Sequence, residues 1–266
     1  MSEDPRLDLR IGAGIARLSI RRPDKLNALD AEMVDGLLPL CQRIERSDAR
    51  VVILTGEGGR SFCAGGDIAA WSQLSPDDFG RRWLRDGHAA FDALARLVQP
   101  VIAVLNGHCL GGGLELAACA DYRLAEAHVR IGLPETSLGI IPGWSGTQRA
   151  VRRFGAGAVR RMALFGEVFG AEEAQRLGLV DQVVPTGAGM AAAEALAARV
   201  IARAPRATEI TKMLVNAAEG EERERVLEAL AGSVAAASGD LREGLAAFRE
   251  KRSARFGATG REGEME

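Results

Sequence analysis

Two runs, VVILT at residues 51–55 and VIAVL at residues 101–105, are apolar on almost every position. A strand with one face in water alternates. A continuous apolar run of this length reads as a strand buried on both sides, the pattern of a parallel sheet packed between layers. Each run leads into a glycine-rich stretch, GEGGRSFCAGGDI at residues 56–68 and NGHCLGGG at residues 106–113, and then into a segment of helical character. That is the layout of βα units. It commits the chain to an α/β fold whose turns collect at the carboxyl edge of the strands, where such proteins bind ligands. An alternating run, IARLSI at residues 15–20, opens an earlier unit. Asp30 then stands as an N-cap before Met33, Leu37, Leu38, Cys41 and Ile44 at helical spacing, and Pro39 in the middle predicts a kink or a break.

Beyond residue 185 the chain turns rich in Ala, Leu, Glu and Arg and shows no strand-like run. This predicts a core over residues 1–190, a helical part over 191–256 with Asp240 capping the last helix, and a disordered tail over 257–266. No repeat or low-complexity linker separates the parts, so one core with a helical extension is expected. At 266 residues and 47% hydrophobic content the chain can bury a sizeable core, which excludes a disordered protein. A formal net charge of -2 makes no case for nucleic acid or an anionic membrane. No apolar run approaches the ~20 residues of a membrane span, and MSEDPRLDLR lacks the apolar segment of a signal peptide, so a cytoplasmic location is expected. Cys41, Cys63, Cys109 and Cys119 form no CxxC pair and no zinc spacing with the three histidines, so no metal is expected. They read as buried small hydrophobes, although Cys63, in a glycine-rich loop, is also weighed as a nucleophile.

GxGxxG, GxxxxGK[ST] and HExxH are absent, and GWSGT at 143–147 misses GxSxG at its last position. What remains is two glycine-rich turns and two glutamates. In CLGGGLELAACAD (109–121) a helix should start near the last glycine, leaving free amides that Gly111, Gly112 and Gly113 bare to an approaching oxygen. Gly65 and Gly66 in CAGGDI offer the same from the neighbouring turn. Two N–H groups from two turns converging on one oxygen would form an oxyanion hole. Glu115 in the first turn of that helix is either a capping-box residue or a catalytic carboxylate. Glu135, after Pro134 in HVRIGLPETSLGIIPGWSGTQR (128–149), is either a surface or N-cap glutamate or the second member of an acid/base pair.

Taken in order, RPDKLNAL (22–29), SFCAGGDI (61–68), PVIAVLNG (100–107), LGGGLELAACAD (110–121), GLPE…LGIIPGWSGTQR (132–149), AxxAxxxGLVDxV (171–183) and EGxxAFxEKR (243–252) closely resemble the enoyl-CoA hydratase/isomerase, or crotonase, superfamily. The match spans roughly residues 8–256. The resemblance implies a ClpP/crotonase-like spiral of ββα units with a C-terminal helical trimerisation part, as a homotrimer or a dimer of trimers. It implies acyl-coenzyme A thioester substrates and no separate cofactor, coenzyme A being part of the substrate. It also implies an oxyanion hole at Gly66 and Gly112, with Glu115 and Glu135 on either side of a water. Hydration of a trans-2-enoyl thioester would then have Glu115 take the proton of the attacking water and Glu135 protonate the α-carbon. Relatives that only shift the double bond typically keep the glutamate matching Glu135 alone, so the presence of both points to a hydratase.

By the same resemblance, coenzyme A would meet the chain around Lys25, Leu26 and Ala28, at Ala64, Gly65, Asp67 and Ile68, and at Phe248 and Lys251, the last two contributed by an adjacent subunit or lying as ordinary surface residues. Leu133 stands where hydratases often carry Gln, and Trp144 and Ser145 stand where small residues are common. Trp144 either reshapes the acyl pocket or packs in the core. An isomerase, decarboxylase or hydrolase using the same oxyanion hole is the competing enzymatic reading. RNA-binding relatives exist, but the cluster of Arg149, Arg152, Arg153, Arg160 and Arg161 lacks interleaved aromatics and net positive charge, and it reads as subunit contact or phosphate attraction.

Overall fold

The computed structural model describes residues 4–256. Among the described residues ten strands form two sheets: β1 (Leu7–Gly12), β2 (Ile15–Ile20), β3 (Val51–Gly56), β4 (Ser61–Cys63), β5 (Val101–Leu105), β6 (His108–Leu110), β7 (Tyr122–Glu126), β8 (Arg130–Gly132), β9 (Val168–Gly170) and β10 (Gln182–Val184). The larger sheet has the order β1-β2-β3-β5-β7-β10, parallel from β2 onward, and the smaller has the order β4-β6-β8-β9. Consecutive strands split between them: β3, β5 and β7 enter the large sheet, and β4, β6 and β8 enter the small one. Repeated three times, that alternation is a spiral of ββ pairs whose crossovers are largely helical.

The continuous apolar runs have the predicted cause. Val52 and Leu54 of β3 face one hydrophobic cluster while Val51 and Ile53 face another, and β5 divides in the same way. The second face is covered by the helix Gly189–Ile201, which lays Ala193 and Ala197 against it. This helix therefore belongs to the core, and the expected division at residue 190 moves downstream. The chain forms one compact unit through Lys212 and another from Met213. Lys212 is fixed in the first unit, its Nζ lying 2.7 Å from Asp121 and donating to the Gln99 carbonyl at 2.9 Å.

The helix Ala31–Glu45 is capped by the Asp30 side chain, which accepts from the Met33 amide. It runs through Pro39 without the predicted break. Pro39 is on the exposed face, where the carbonyl of exposed Asp35, deprived of its donor, can be solvated. Leu38 is on that face too, at 41% exposure, and Leu40 takes the core position instead.

In the second unit the helices Arg223–Ala237 and Gly239–Glu250 meet at Ser238. Ser238, not Asp240, occupies the cap position, and Asp240 sits in the first turn without a side-chain cap bond. The predicted tail, 257–266, lies outside the described residues.

Candidate active site

Three neighbouring parallel strands of the small sheet deliver the site. β4 pairs with β6 at Cys63 and Cys109, and β6 pairs with β8 at Leu110 and Gly132. Their ends therefore come level at one edge. Ala64, Gly65 and Gly66 follow β4; Gly111 and the helix Gly112–Ala117 follow β6; Leu133, Pro134 and the short 3₁₀ turn Glu135–Leu138 follow β8. Sequence reasoning hung the glycine turns directly on residues 51–55 and 101–105. The structure interposes the three-residue strands SFC and HCL, too short for period-two alternation to register.

The first two turns touch. Gly65 (φ +96°) and Gly111 (φ +55°) adopt backbone that side chains rarely tolerate, and a methyl on Gly65 would stand 2.9 Å from the Gly112 nitrogen. One on Gly113 would overlap the Cys63 carbonyl. No backbone acceptor among the described residues takes the N–H of Gly66 or of Gly112. Both residues line a single cleft of about 100 Å³, together with Ala64, Gly65, Ile68, Glu115, Glu135 and Trp144 among the expected residues.

The loop over residues 22–29 braces the first turn. Ala64 donates to Leu26, Leu29 to the Gly65 carbonyl and Asp67 to Leu29, at 2.7–3.1 Å. Asn27, buried and left-handed (φ +57°), donates to the Ser61 carbonyl at 2.7 Å, and Arg22 pairs with Asp67 at 2.8 Å. Lys25 and Leu26 are exposed beside this brace, Ala28 is buried in it, and Asp67 caps the helix Ile68–Trp71. None of these four lines the cleft.

The two glutamates are both buried but differently held. Glu115, 3% exposed, accepts hydrogen bonds at Oε1 from the main-chain amides of Trp144 and Gly146, each at 2.6 Å. Glu135, 7% exposed, has no hydrogen-bond partner for either carboxylate oxygen. Burial, with the charge of Glu135 nearby, pushes the Glu115 carboxyl up to about 8, against the pull of the two amides. Burial pushes Glu135 up to about 7. Glu135 is therefore not a surface glutamate, and Glu115 caps no amide of its own helix: no side-chain cap bond is made there. Burial thus raises both carboxyls toward neutral pH, opposed at Glu115 by the Trp144 and Gly146 amides and at Glu135 by its own main-chain amide.

The clamp on Glu115 was missed from sequence. It depends on Ser145, held left-handed (φ +80°) between the two donating residues, its hydroxyl 3.0 Å from Nδ1 of His88. His88 is held below its usual value by burial. Its rank as one of three histidines was the only available signal. Trp144 is 3% exposed and donates from Nε1 to the Trp83 carbonyl at 3.1 Å.

Other expectations settle elsewhere. Leu133 is fully buried in the main hydrophobic cluster and does not line the cleft. Phe248, 83% exposed, and Lys251, at the left-handed end of its helix, lie in the second unit. All four cysteines are free and buried, and burial pushes the Cys63 thiol up to about 12, which removes it as a thiolate nucleophile. Arg149 is buried and paired with Asp92 at 2.5 Å, and Arg161 pairs with Glu167 at 2.6 Å. Among the described residues no helix is long and apolar enough to cross a membrane.

A sequence model described as enoyl-CoA hydratase/isomerase matches residues 10–259. YngF of Bacillus subtilis, which carries the same enoyl-CoA hydratase/isomerase name, is 41% identical over 247 residues, covering 90% of this chain and 93% of that protein. A crotonyl-CoA hydratase of Syntrophomonas wolfei is 36% identical over 245 residues, covering 91% and 94%. The crystal structure of an enoyl-CoA hydratase from Bacillus anthracis superposes with a TM-score of 0.78 at 31% identity, covering 94% of this chain and 98% of that one. Strand order, chain-length agreement and the sequence match all lead to one assignment: this α/β chain has the crotonase fold and belongs to the enoyl-CoA hydratase/isomerase family.

Proposed function

We propose that this protein adds water across the double bond of 2-trans-enoyl-coenzyme A thioesters to give 3-hydroxyacyl thioesters. The observation that carries the reading is the meeting of two buried carboxyls, Glu115 and Glu135, in a cleft also lined by two turns whose Gly66 and Gly112 amides lack backbone acceptors. With the thioester oxygen between those amides, negative charge building on it is stabilised as the enolate forms. Glu115, its ionised form favoured by the Trp144 and Gly146 amides, takes a proton from water as the water oxygen bonds to the β-carbon. Glu135, in the same cleft and raised to about 7 by burial, would hold the proton that passes to the α-carbon, the part that its match to the family's second glutamate implies. The names of relatives such as the crotonyl-CoA hydratase support the same reaction class.

In this reading no separate cofactor takes part. Exposed Lys25 and Leu26, with Ala28 and Asp67 in the brace behind them, would meet coenzyme A outside the cleft, and Phe248 and Lys251 would reach it from another copy of the chain. Self-association is supported by the second unit, where Leu227, Val234, Leu241 and Leu245 stay exposed along two adjacent helices. Sedimentation of the purified chain as a trimer or hexamer is the expected result.

The direct test follows the conjugated thioester absorbance of crotonyl-CoA on mixing with the protein. Loss of absorbance with formation of 3-hydroxybutanoyl-CoA is expected. Absence of turnover, or full turnover in both Glu115→Gln and Glu135→Gln, would overturn the assignment. Appearance of a shifted double bond in place of the hydroxyl product would make the protein an isomerase.

A further inference from the structure

We infer that the indole of Trp144 is the end wall of the acyl site and restricts this protein to short-chain thioesters, an inference that rests on the acyl-thioester reading above. The ring is wedged between backbones. A methyl on Gly112 would lie 3.0 Å from its edge and one on Gly66 would lie 3.4 Å from its tip, so the indole packs directly on both turns of the proposed oxyanion hole. On the other side is Gly87, within the helix Arg85–Ala95, where any side chain would overlap the ring. Glycine in mid-helix costs roughly 1 kcal/mol relative to alanine. Here its missing side chain is the space the indole occupies.

The ring also has little freedom to swing away. Trp83 packs on it at a centroid distance of 4.9 Å, Phe91 meets it edge-on at 5.1 Å, and the Nε1 bond to the Trp83 carbonyl fixes its rotation. Its own main-chain amide is bonded to Glu115. A movement of the ring that strains its backbone would therefore disturb the carboxylate. This sets it apart from a flexible gate, and the wall is built into the same residue that positions the acid/base group.

Space supplies the magnitude. The cleft holds about 100 Å³ and is finished by apolar side chains of Trp71, Phe79, Trp83 and Leu138. An apolar cavity of about 150 Å³ accommodates a benzene ring, so a cleft of this size favours short acyl groups over long ones. Each extra methylene that fails to fit should lower kcat/KM by about tenfold or more until the chain is excluded.

The test uses two ladders on the full chain. One measures kcat/KM for hydration of 2-trans-enoyl thioesters of four, six, eight and ten carbons. The other measures binding of the saturated butanoyl-, hexanoyl-, octanoyl- and decanoyl-CoA by calorimetry, which needs no turnover. The wild-type protein is expected to favour the four-carbon over the ten-carbon member by at least about a hundredfold in both. Trp144→Ala is expected to reduce that ratio at least about tenfold, chiefly by improving the long members. Equal binding of butanoyl- and decanoyl-CoA by wild type overturns the inference whether or not the variant folds. So does an unchanged length ratio in folded Trp144→Ala. Hydration at all lengths without preference would leave the proposed function standing and remove only the wall. Length-selective binding without hydration would do the reverse.

Discussion

Glu115 and Glu135 share one cleft, yet the protein treats them in opposite ways. Glu115 sits in the first turn of a helix and is clamped by two amides from a loop some thirty residues further along. Glu135 sits on a 3₁₀ turn, and no other residue donates to its carboxylate. Desolvation acts on both; two amides from a distant loop oppose it at Glu115, and at Glu135 only the residue's own main-chain amide does. The difference teaches that identical side chains in one cleft are not equivalent: burial raises both, to about 8 for Glu115 and about 7 for Glu135, while the two loop amides fix the position of Glu115 alone.

The comparison breaks most visibly in α-proton exchange. With butanoyl-CoA in heavy water, Glu135→Gln should cut deuterium incorporation roughly a hundred- to ten-thousand-fold, whereas Glu115→Gln should change it less than about tenfold. Mass spectrometry of the recovered thioester reads both; equal losses in the two variants would erase the division of labour.

Next in size is a stability difference. Between the ordinary carboxyl value of 4.5 and the raised value of about 7, folded Glu135 keeps a proton that the unfolded chain has released. The folded state thus binds more protons there, and stability falls as pH rises through that window. Glu135→Gln should lessen the loss of stability between pH 5 and pH 8 by up to roughly 3 kcal/mol, measured by urea unfolding at both pH values. An identical pH slope in variant and wild type would show that burial does not penalise this group.

The clamp itself is sharpened by Gly146→Ala, whose methyl would come 2.7 Å from Oε1 of Glu115. The methyl would also come 2.6 Å from Cβ of Pro142, so the loop and the carboxylate both shift, and a fall in kcat of about ten- to a hundredfold is expected. The smallest effect is reserved for Ser145→Gly. Glycine adopts φ +80° without strain but loses the hydroxyl contact to His88, and these opposing changes should leave stability within about 1 kcal/mol of wild type.

The sequence made some of this plain and hid the rest for identifiable reasons. VVILT and VIAVL announced strands covered on both faces because every position in them packs, and Asp30 announced a helix start through a local bond to Met33. Glycines 65, 66, 111 and 112 marked the turns, since left-handed backbone and close approach leave a local signature. The small sheet stayed hidden because three residues cannot show a period. The Glu115 clamp stayed hidden because Trp144 and Gly146 donate main-chain groups across the fold, and a backbone amide has no letter of its own. Leu133 was placed in the site by resemblance, but it is fully buried in the main hydrophobic cluster and does not line the cleft.

The contact between the two glycine turns bears on how a lineage carrying this chain can diversify. At Gly65 and Gly113 the neighbour is main chain, the Gly112 nitrogen in one case and the Cys63 carbonyl in the other, and main chain cannot repack as side chains do. Substitution there has no gradual route. Around the rim, Trp71, Phe79 and Leu138 can be exchanged one at a time for residues of other shapes. The apolar border therefore offers room for change that the touching turns do not.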